Sequence, residues 1–438
     1  MNISFYDLTH SAEIPADLLA RTESDLSFFS EKVTPIIAAV KEKGDAALIE
    51  FGRNFDGVVP ETFSIKAEES EFEAAFANLD PELIETIKYS VENVRAFHAA
   101  QKPEEMWMKE MRPGAFAGDR HVPIDAVACY VPRGKGSFPS VLIMTAVPAV
   151  VAGVPRPVII TPPGPDGKVD DATLVAAQLV GIKEVYKCGG AQGVAAVAFG
   201  TESVPKCLKI VGPGSPWVVA AKQQLTHLLD PGVPAGPSES IILADDSADG
   251  KLAALDLLIE SEHGPDSSAF LVTSSKRVVD EALNAIPGYW EKMPEKRADF
   301  SQTVLCGAHG GIILTKDFDA AIEFVNQYAP EHLEILSAEP MATMTKIRNA
   351  GEVLLGNHTP ISLGNFVLGP NAVLPTNGAA KTAGPLSVFD YMKRISVGYV
   401  TKEGYSELAE NAKRLAEYEG FASHALAVSD IRSEILGD

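Results

Sequence analysis

The chain has 438 residues, enough for two to four domains at roughly 150 residues each. With 37 Lys and Arg against 59 Asp and Glu it carries a formal charge of −22, which repels phosphate backbones and anionic lipid and argues against nucleic-acid or membrane partners. Hydrophobic residues at 46% and charged residues at 22% make an ordinary globular mixture and exclude disordered and fibrous classes.

Residues Met1 to Thr22 lack a basic head, an apolar core and a small-residue cleavage site, and no later run of about 18 apolar residues is uninterrupted, so the expected address is the cytoplasm. Four cysteines, Cys129, Cys188, Cys207 and Cys306, lie far apart without a CxxC pair, which suits reduced thiols better than disulfides or a cysteine zinc site. Helical periodicity predicts helices over 33–43, 45–55 and 81–101, the last opening on Pro81, a residue suited to a first helical turn. From Ile124 the texture changes. Short β-rich runs at 126–131, 157–161, 184–187 and 208–211 alternate with helix-length segments, the pattern of a parallel sheet in an α/β unit. A second series follows at 240–244, 269–273, 311–315, 333–337 and 353–355, with helices such as 252–261 and 319–328 between its strands, so two sheets are predicted. The Pro- and Gly-rich stretch 230–237 lies between the series and marks a lobe boundary, where a crossing chain needs fixed turns and few ladder donors. Beyond about residue 386 a mostly helical tail, strongest over 405–418, is small for a core of its own and suits packing on the body or on a partner subunit.

Of nine histidines, three stand among carboxylates and turn residues: His263, His332 and His424. Glu260 and His263, three apart at the end of a predicted helix, share one side of it and can ligate a divalent metal, although the same spacing serves a capping or surface pair. Glu331 and His332 are adjacent where a loop meets a strand; that pair suits proton transfer, and reads equally as a strand-edge ion pair. The stretches 365–371 and 375–378 bring amides and backbone near a ligand or simply form turns, and Glu419 with His424 reads as tail surface or as part of a site. The dinucleotide fingerprint Gly-x-Gly-x-x-Gly is absent: Gly212-Pro-Gly214 has Trp217 in place of a third glycine. Gly189-Gly-Ala-Gln-Gly193 lets backbone approach a ligand or makes a tight strand-to-helix turn.

Taken in order, Cys129-Tyr-Val-Pro132 with Phe138-Pro-Ser140, Gly189-Gly-Ala-Gln192, Gly212-Pro-Gly214, Pro234-Ala-Gly-Pro-Ser-Glu239, Glu262-His263, Tyr328-Ala-Pro-Glu-His-Leu-Glu334 and Gly369-Pro-Asn371 with Val373-Leu-Pro-Thr376 resemble histidinol dehydrogenase from about residue 30 onward. The resemblance implies an α/β fold of two Rossmann-like lobes similar to those of aldehyde dehydrogenases, with small N-terminal and C-terminal helical segments. Its divisions would be an N-terminal segment 1–24, a first lobe from 25–125 and 240–385, a second, NAD-binding lobe 126–239, and a C-terminal helical segment 386–438 reaching a partner in a homodimer. It implies zinc-dependent oxidation of a primary alcohol to a carboxylate with two NAD, nominally L-histidinol to L-histidine. Glu331 matches the water-activating acid and His332 the general base. His263 and His424 match zinc ligands, Tyr130 and Gln192 cofactor contacts, and Ser238 and Glu419 substrate contacts.

Departures from the family pattern fall on the ligands and the substrate. Glu260 stands for the usual Gln and Asn365 for the usual Asp, an exchange that retains zinc-capable donors. Ser215 replaces a cofactor-binding Asn. Ile361 replaces a usual Glu, Ala372 a usual His, and Arg133 a usual Gly, which shifts the expected substrate from a cation toward a neutral or anionic small-molecule alcohol such as sulfopropanediol, oxidised by relatives of this family. Two other classes remain open at this point: thiohemiacetal chemistry on Cys306, which lacks any supporting motif, and a non-catalytic binding paralogue.

Overall fold

A computed structural model describes residues 2–11, 13–21, 26–133, 136–234 and 236–437. The expected boundary at 24/25, and Ala235 in the Pro234–Glu239 string, lie outside the described residues. The chain divides into two compact units, Met1–Lys102 with Ile124–Tyr391, and Pro103–Pro123 with Met392–Asp438.

In chain order the elements open with β1 (Phe5–Leu8), α1 (Ala16–Leu19), α2 (Leu26–Lys43), α3 (Asp45–Phe55), α4 (Glu69–Asn78) and α5 (Pro81–Gln101). They continue with β2 (Met106–Arg112), β3 (Ala115–Pro123), β4 (Ala126–Tyr130), α6 (Pro139–Ala152), β5 (Arg156–Thr161), α7 (Asp171–Val180), β6 (Val185–Lys187), α8 (Gly190–Phe199), β7 (Lys209–Val211) and α9 (Pro216–Gln224). Then come β8 (Glu239–Ala244), α10 (Gly250–Ser261), β9 (Ser268–Thr273), α11 (Lys276–Trp290), α12 (Glu295–Leu305), β10 (Gly310–Thr315), α13 (Phe318–Tyr328) and β11 (His332–Leu336). The last are α14 (Pro340–Met344), β12 (Glu352–Leu355), α15 (Ile361–Phe366), β13 (Met392–Val400), α16 (Lys402–Tyr418), α17 (Ala422–Ala427) and α18 (Asp430–Leu436).

The first unit holds two parallel sheets. One has four strands in the order β6-β5-β4-β7, the other six in the order β1-β10-β9-β8-β11-β12. Numbered within each series, the orders read 3-2-1-4 and 3-2-1-4-5, the latter extended by β1 beyond its third strand; both are doubly wound patterns that reverse direction beside the first strand. Every residue of β8, β9, β10 and β11 is buried, as both faces of a helix-covered parallel sheet require. The helices start on side-chain caps where the sequence supplies them: Asp170 accepts from Thr173 N, Asp249 from Lys251 N and Leu252 N, and Asp317 from Ala320 N. Among the described residues no helix is long and apolar enough to cross a membrane.

The second unit carries the mostly helical tail in α16, α17 and α18 and adds a strand the sequence did not announce: β13 pairs antiparallel with β3, which pairs with β2, in a three-stranded sheet. All seven β2 residues are exposed, so no alternation of buried and solvent-facing side chains announces this sheet.

Candidate active site

Three parallel strands begin side by side with titratable residues. The register sets His332 of β11 opposite Ser240 of β8 on one side and opposite Glu352 of β12 on the other. Helix α10 returns from the far end of β8, so its last turn delivers Glu260, and the residues just after it His263, to the same amino-terminal strand ends. Asn365 on α15 completes the group, donating from Nδ2 to Glu260 Oε1 at 2.8 Å. Open α/β sheets usually collect ligands at their carboxyl ends. Here the helix polarity puts the carboxylates and imidazoles at the opposite edge.

At the centre, His332 Nδ1 lies 2.9 Å from Glu352 Oε2, while Nε2 is 3.9 Å from Oε1 of both Glu260 and Glu331. Burial would lower the imidazole pKa, but the Glu260 charge, the hydrogen bond to Glu352 and the Glu331 charge outweigh it and push His332 up to about 9. Burial pushes the Glu331 carboxyl up to about 8, against the pull of His332 and of the Glu239 backbone N–H, which donates to Glu331 Oε2 at 2.9 Å. Glu260 is fully buried, yet the charges of His263 and His332 overcome desolvation and hold it down to about 2. Arg21 donates to Glu239 Oε1 at 2.8 Å and stacks 3.3 Å above the Tyr328 ring, fixing the entry of β8.

Glu260 Oε2 lies 2.5 Å from His263 Nδ1, is buried, and has no hydrogen bond of good geometry. The two form an ion pair with the ring protonated; with the ring neutral they are an N and an O donor, and that set with the Asn365 amide suits zinc. Among the described residues no three His, Cys, Asp or Glu side chains converge on one point, so this trio depends on the amide. Ser238 Oγ is 3.1 Å from the same His263 Nδ1.

The other candidates divide between places. Tyr130 ends β4, is buried, and its hydroxyl accepts from Gly190 N at 3.2 Å; Gln192, also buried, donates to Asp56 Oδ2 at 3.4 Å. Gly212 follows β7 at φ 110°, where a β-carbon would strike the Tyr130 carbonyl at 2.3 Å. Ser215, exposed, precedes α9 without capping it. These residues follow the carboxyl ends of β4, β6 and β7, around the crevice beside the reversal of the four-stranded sheet, where α8 and α9 begin, an arrangement suited to a dinucleotide. Arg133 is exposed just beyond β4 and donates to the Lys168 carbonyl at 3.3 Å, with its charge felt by Asp56, so it belongs to this crevice. Ile361 is fully buried in the apolar cluster with Leu336 and Leu354, a packing position, and Ala372 is half-buried. Glu419, after α16, and His424, on α17, are exposed in the second unit. No spacing in the sequence marks Glu239 or Glu352 as a site residue, because their roles arise from strand register.

The profile of the histidinol dehydrogenase family matches residues 19–432. The chain belongs to that family. A "Histidinol dehydrogenase homolog" of Colwellia psychrerythraea is 62% identical over 97% of this chain and 96% of its own. A "Histidinol dehydrogenase" of Synechocystis is 46% identical over 94% and 95%. The crystal structure of histidinol dehydrogenase from Elizabethkingia anophelis superposes with a TM-score of 0.93 at 32% identity, covering 100% of this chain and 99% of that one. Family membership makes the chain an oxidoreductase of the dehydrogenase kind, with Rossmann-like sheets.

Proposed function

We propose that this chain is a zinc- and NAD-dependent dehydrogenase that takes a primary alcohol through the aldehyde to the carboxylate, using two NAD in sequence. The observation that carries the reading is the buried Glu331–His332 pair placed beside Glu260, His263 and Asn365 at one strand edge. Zinc would be held by Glu260, His263, Asn365 and His424, the last supplied by a second copy in a homodimer as the family resemblance implies, and would polarise the substrate oxygen; NAD would accept hydride.

The chain's own groups handle the protons. His332 takes the hydroxyl proton through Nε2 as hydride leaves carbon, which yields the aldehyde. Glu331 then deprotonates a water that adds to the carbonyl carbon, and loss of a second hydride from the hydrate gives the acid. A carboxyl raised to about 8 is a stronger base than an ordinary one, and a base is most effective with a pKa near the working pH. Tyr130, Gln192 and the turns at Gly190 and Gly212 form the cofactor crevice.

The substrate we favour is a neutral or anionic polar alcohol over L-histidinol. Ala372 and Asn365 replace groups that would meet a cationic amino alcohol, and four relatives at 59% to 62% identity carry the name homolog. The test is zinc analysis together with NADH formation over a panel of alcohols that includes L-histidinol and sulfopropanediol. Stoichiometric zinc with NADH from at least one alcohol, two per turnover, is expected; a zinc-free protein that reduces no NAD with any of them overturns the reading.

A further inference from the structure

We propose that Glu352 is the positioning residue for His332: its carboxylate holds the proton on Nδ1 and so leaves Nε2 as the atom that accepts a proton from substrate. The kinetic part of this proposal rests on the functional reading above, whereas the tautomer does not.

Pairing of β11 with β12 sets His332 directly opposite Glu352, so both side chains leave one face of the sheet on adjacent strands. Nδ1 and Oε2 are 2.9 Å apart, with the side chains 4% and 5% exposed, so water does not compete for the contact. With the carboxylate oxygen Oε2 accepting at 2.9 Å, the shared proton sits on Nδ1. That fixes the neutral ring in one tautomer, as a carboxylate does for a catalytic imidazole elsewhere. The free nitrogen points inward, toward Glu260 and Glu331.

Two further observations mark the position as more than packing. Gly364, next to Asn365, leaves the space that Glu352 occupies, since a β-carbon there would lie 2.6 Å from Glu352 Oε1. That oxygen is buried without a hydrogen-bond partner. A buried carboxylate with one unsatisfied oxygen destabilises a fold relative to an apolar residue of similar size. A strand position that carries such a penalty is explained by its service to the neighbouring imidazole.

The test uses the full-length zinc-loaded protein with ¹⁵N-labelled histidine, the His332 signals being assigned by their loss in His332→Asn. In the wild type, at a pH where the ring is neutral, Nδ1 should bear the proton and Nε2 should not. Glu352→Leu should lower kcat on the best alcohol roughly 100-fold or more while KM stays within about 3-fold, and Glu352→Gln, which keeps an acceptor, should recover part of the loss. A bare Nδ1 in the neutral wild-type ring, or a folded Glu352→Leu variant within about 3-fold of wild-type kcat, overturns the proposal. If Glu352→Leu does not fold, the wild-type nitrogen shifts decide alone. If the wild-type protein oxidises no alcohol, the functional reading fails while the same shifts still decide the tautomer.

Discussion

Glu331 and His332 are neighbours in sequence but differ in surroundings, and the proposed function gives them different protons. The imidazole reaches into the carboxylate cluster through Nε2, whereas the Glu331 carboxyl is anchored by the Glu239 N–H and raised mainly by burial. His332→Asn should therefore slow both oxidations by about 100-fold or more, and Glu331→Gln should spare alcohol oxidation while depressing the aldehyde step. Single-turnover NADH formation from alcohol and from aldehyde separates the two; equal losses in the Glu331 variant would remove the division of labour. His263→Ala should abolish stoichiometric zinc, read by elemental analysis after dialysis, and full retention would end its assignment as a ligand. Residues at short spacing are legible in the sequence: adjacency reveals Glu331 with His332, and three-residue spacing reveals Glu260 with His263. Glu352 is not, because twenty positions and a strand register separate it from its partner. Substitutions are legible as identities but not as directions. Ile361 belongs to the core, and Arg133 lies just beyond β4 beside Asp56 and Lys168.

Among the elements, strands buried on both faces declare themselves as short apolar runs, and β4 to β12 fall within a residue or two of their expected limits. Strands β2, β3 and β13 do not, since a sheet with exposed strands has no apolar rhythm to read. The pairing of α10 with β11 carries its own prediction. Asp256, four residues before Glu260 on α10, faces Glu334, two residues after His332 on β11, and both carboxyls are buried. Burial, and then the Asp256 charge, hold the Glu334 pKa well above the ordinary carboxylate range. Between about 4.3, where the unfolded carboxyl titrates, and that raised value, the unfolded chain releases a proton that the folded chain keeps. Stability from this group is thus complete in acid and falls as pH rises. Glu334→Gln removes the ionisation, so the drop in Tm from pH 5 to pH 8 should shrink by roughly 2 °C or more. An unchanged drop in calorimetric scans would show that Glu334 keeps no proton that the unfolded chain releases.

For the molecule as a whole, the charge of −22 bears on what reaches the site. Buried acids at the strand edge are internally compensated, Glu260 by His263 and His332 and Glu352 by His332, so close to the chemistry they discriminate less than their number suggests. At longer range the uncompensated surface charge repels anions and attracts cations, and salt screens both effects over about 10 Å at 0.1 M. The sign of the salt dependence therefore reports substrate charge independently of which alcohol is tried first. For an anionic alcohol, kcat/KM should rise by a few-fold between roughly 0.02 and 0.2 M salt, and for a cationic amino alcohol it should fall. We expect the best substrate of the panel to show no fall, and L-histidinol to stay below about 10⁴ M⁻¹s⁻¹ in kcat/KM, the lower end of ordinary values for an enzyme on its own substrate. A value for L-histidinol above that figure, falling with added salt, would return the chain to the nominal reaction of its family and show that its substrate site still accommodates a cation.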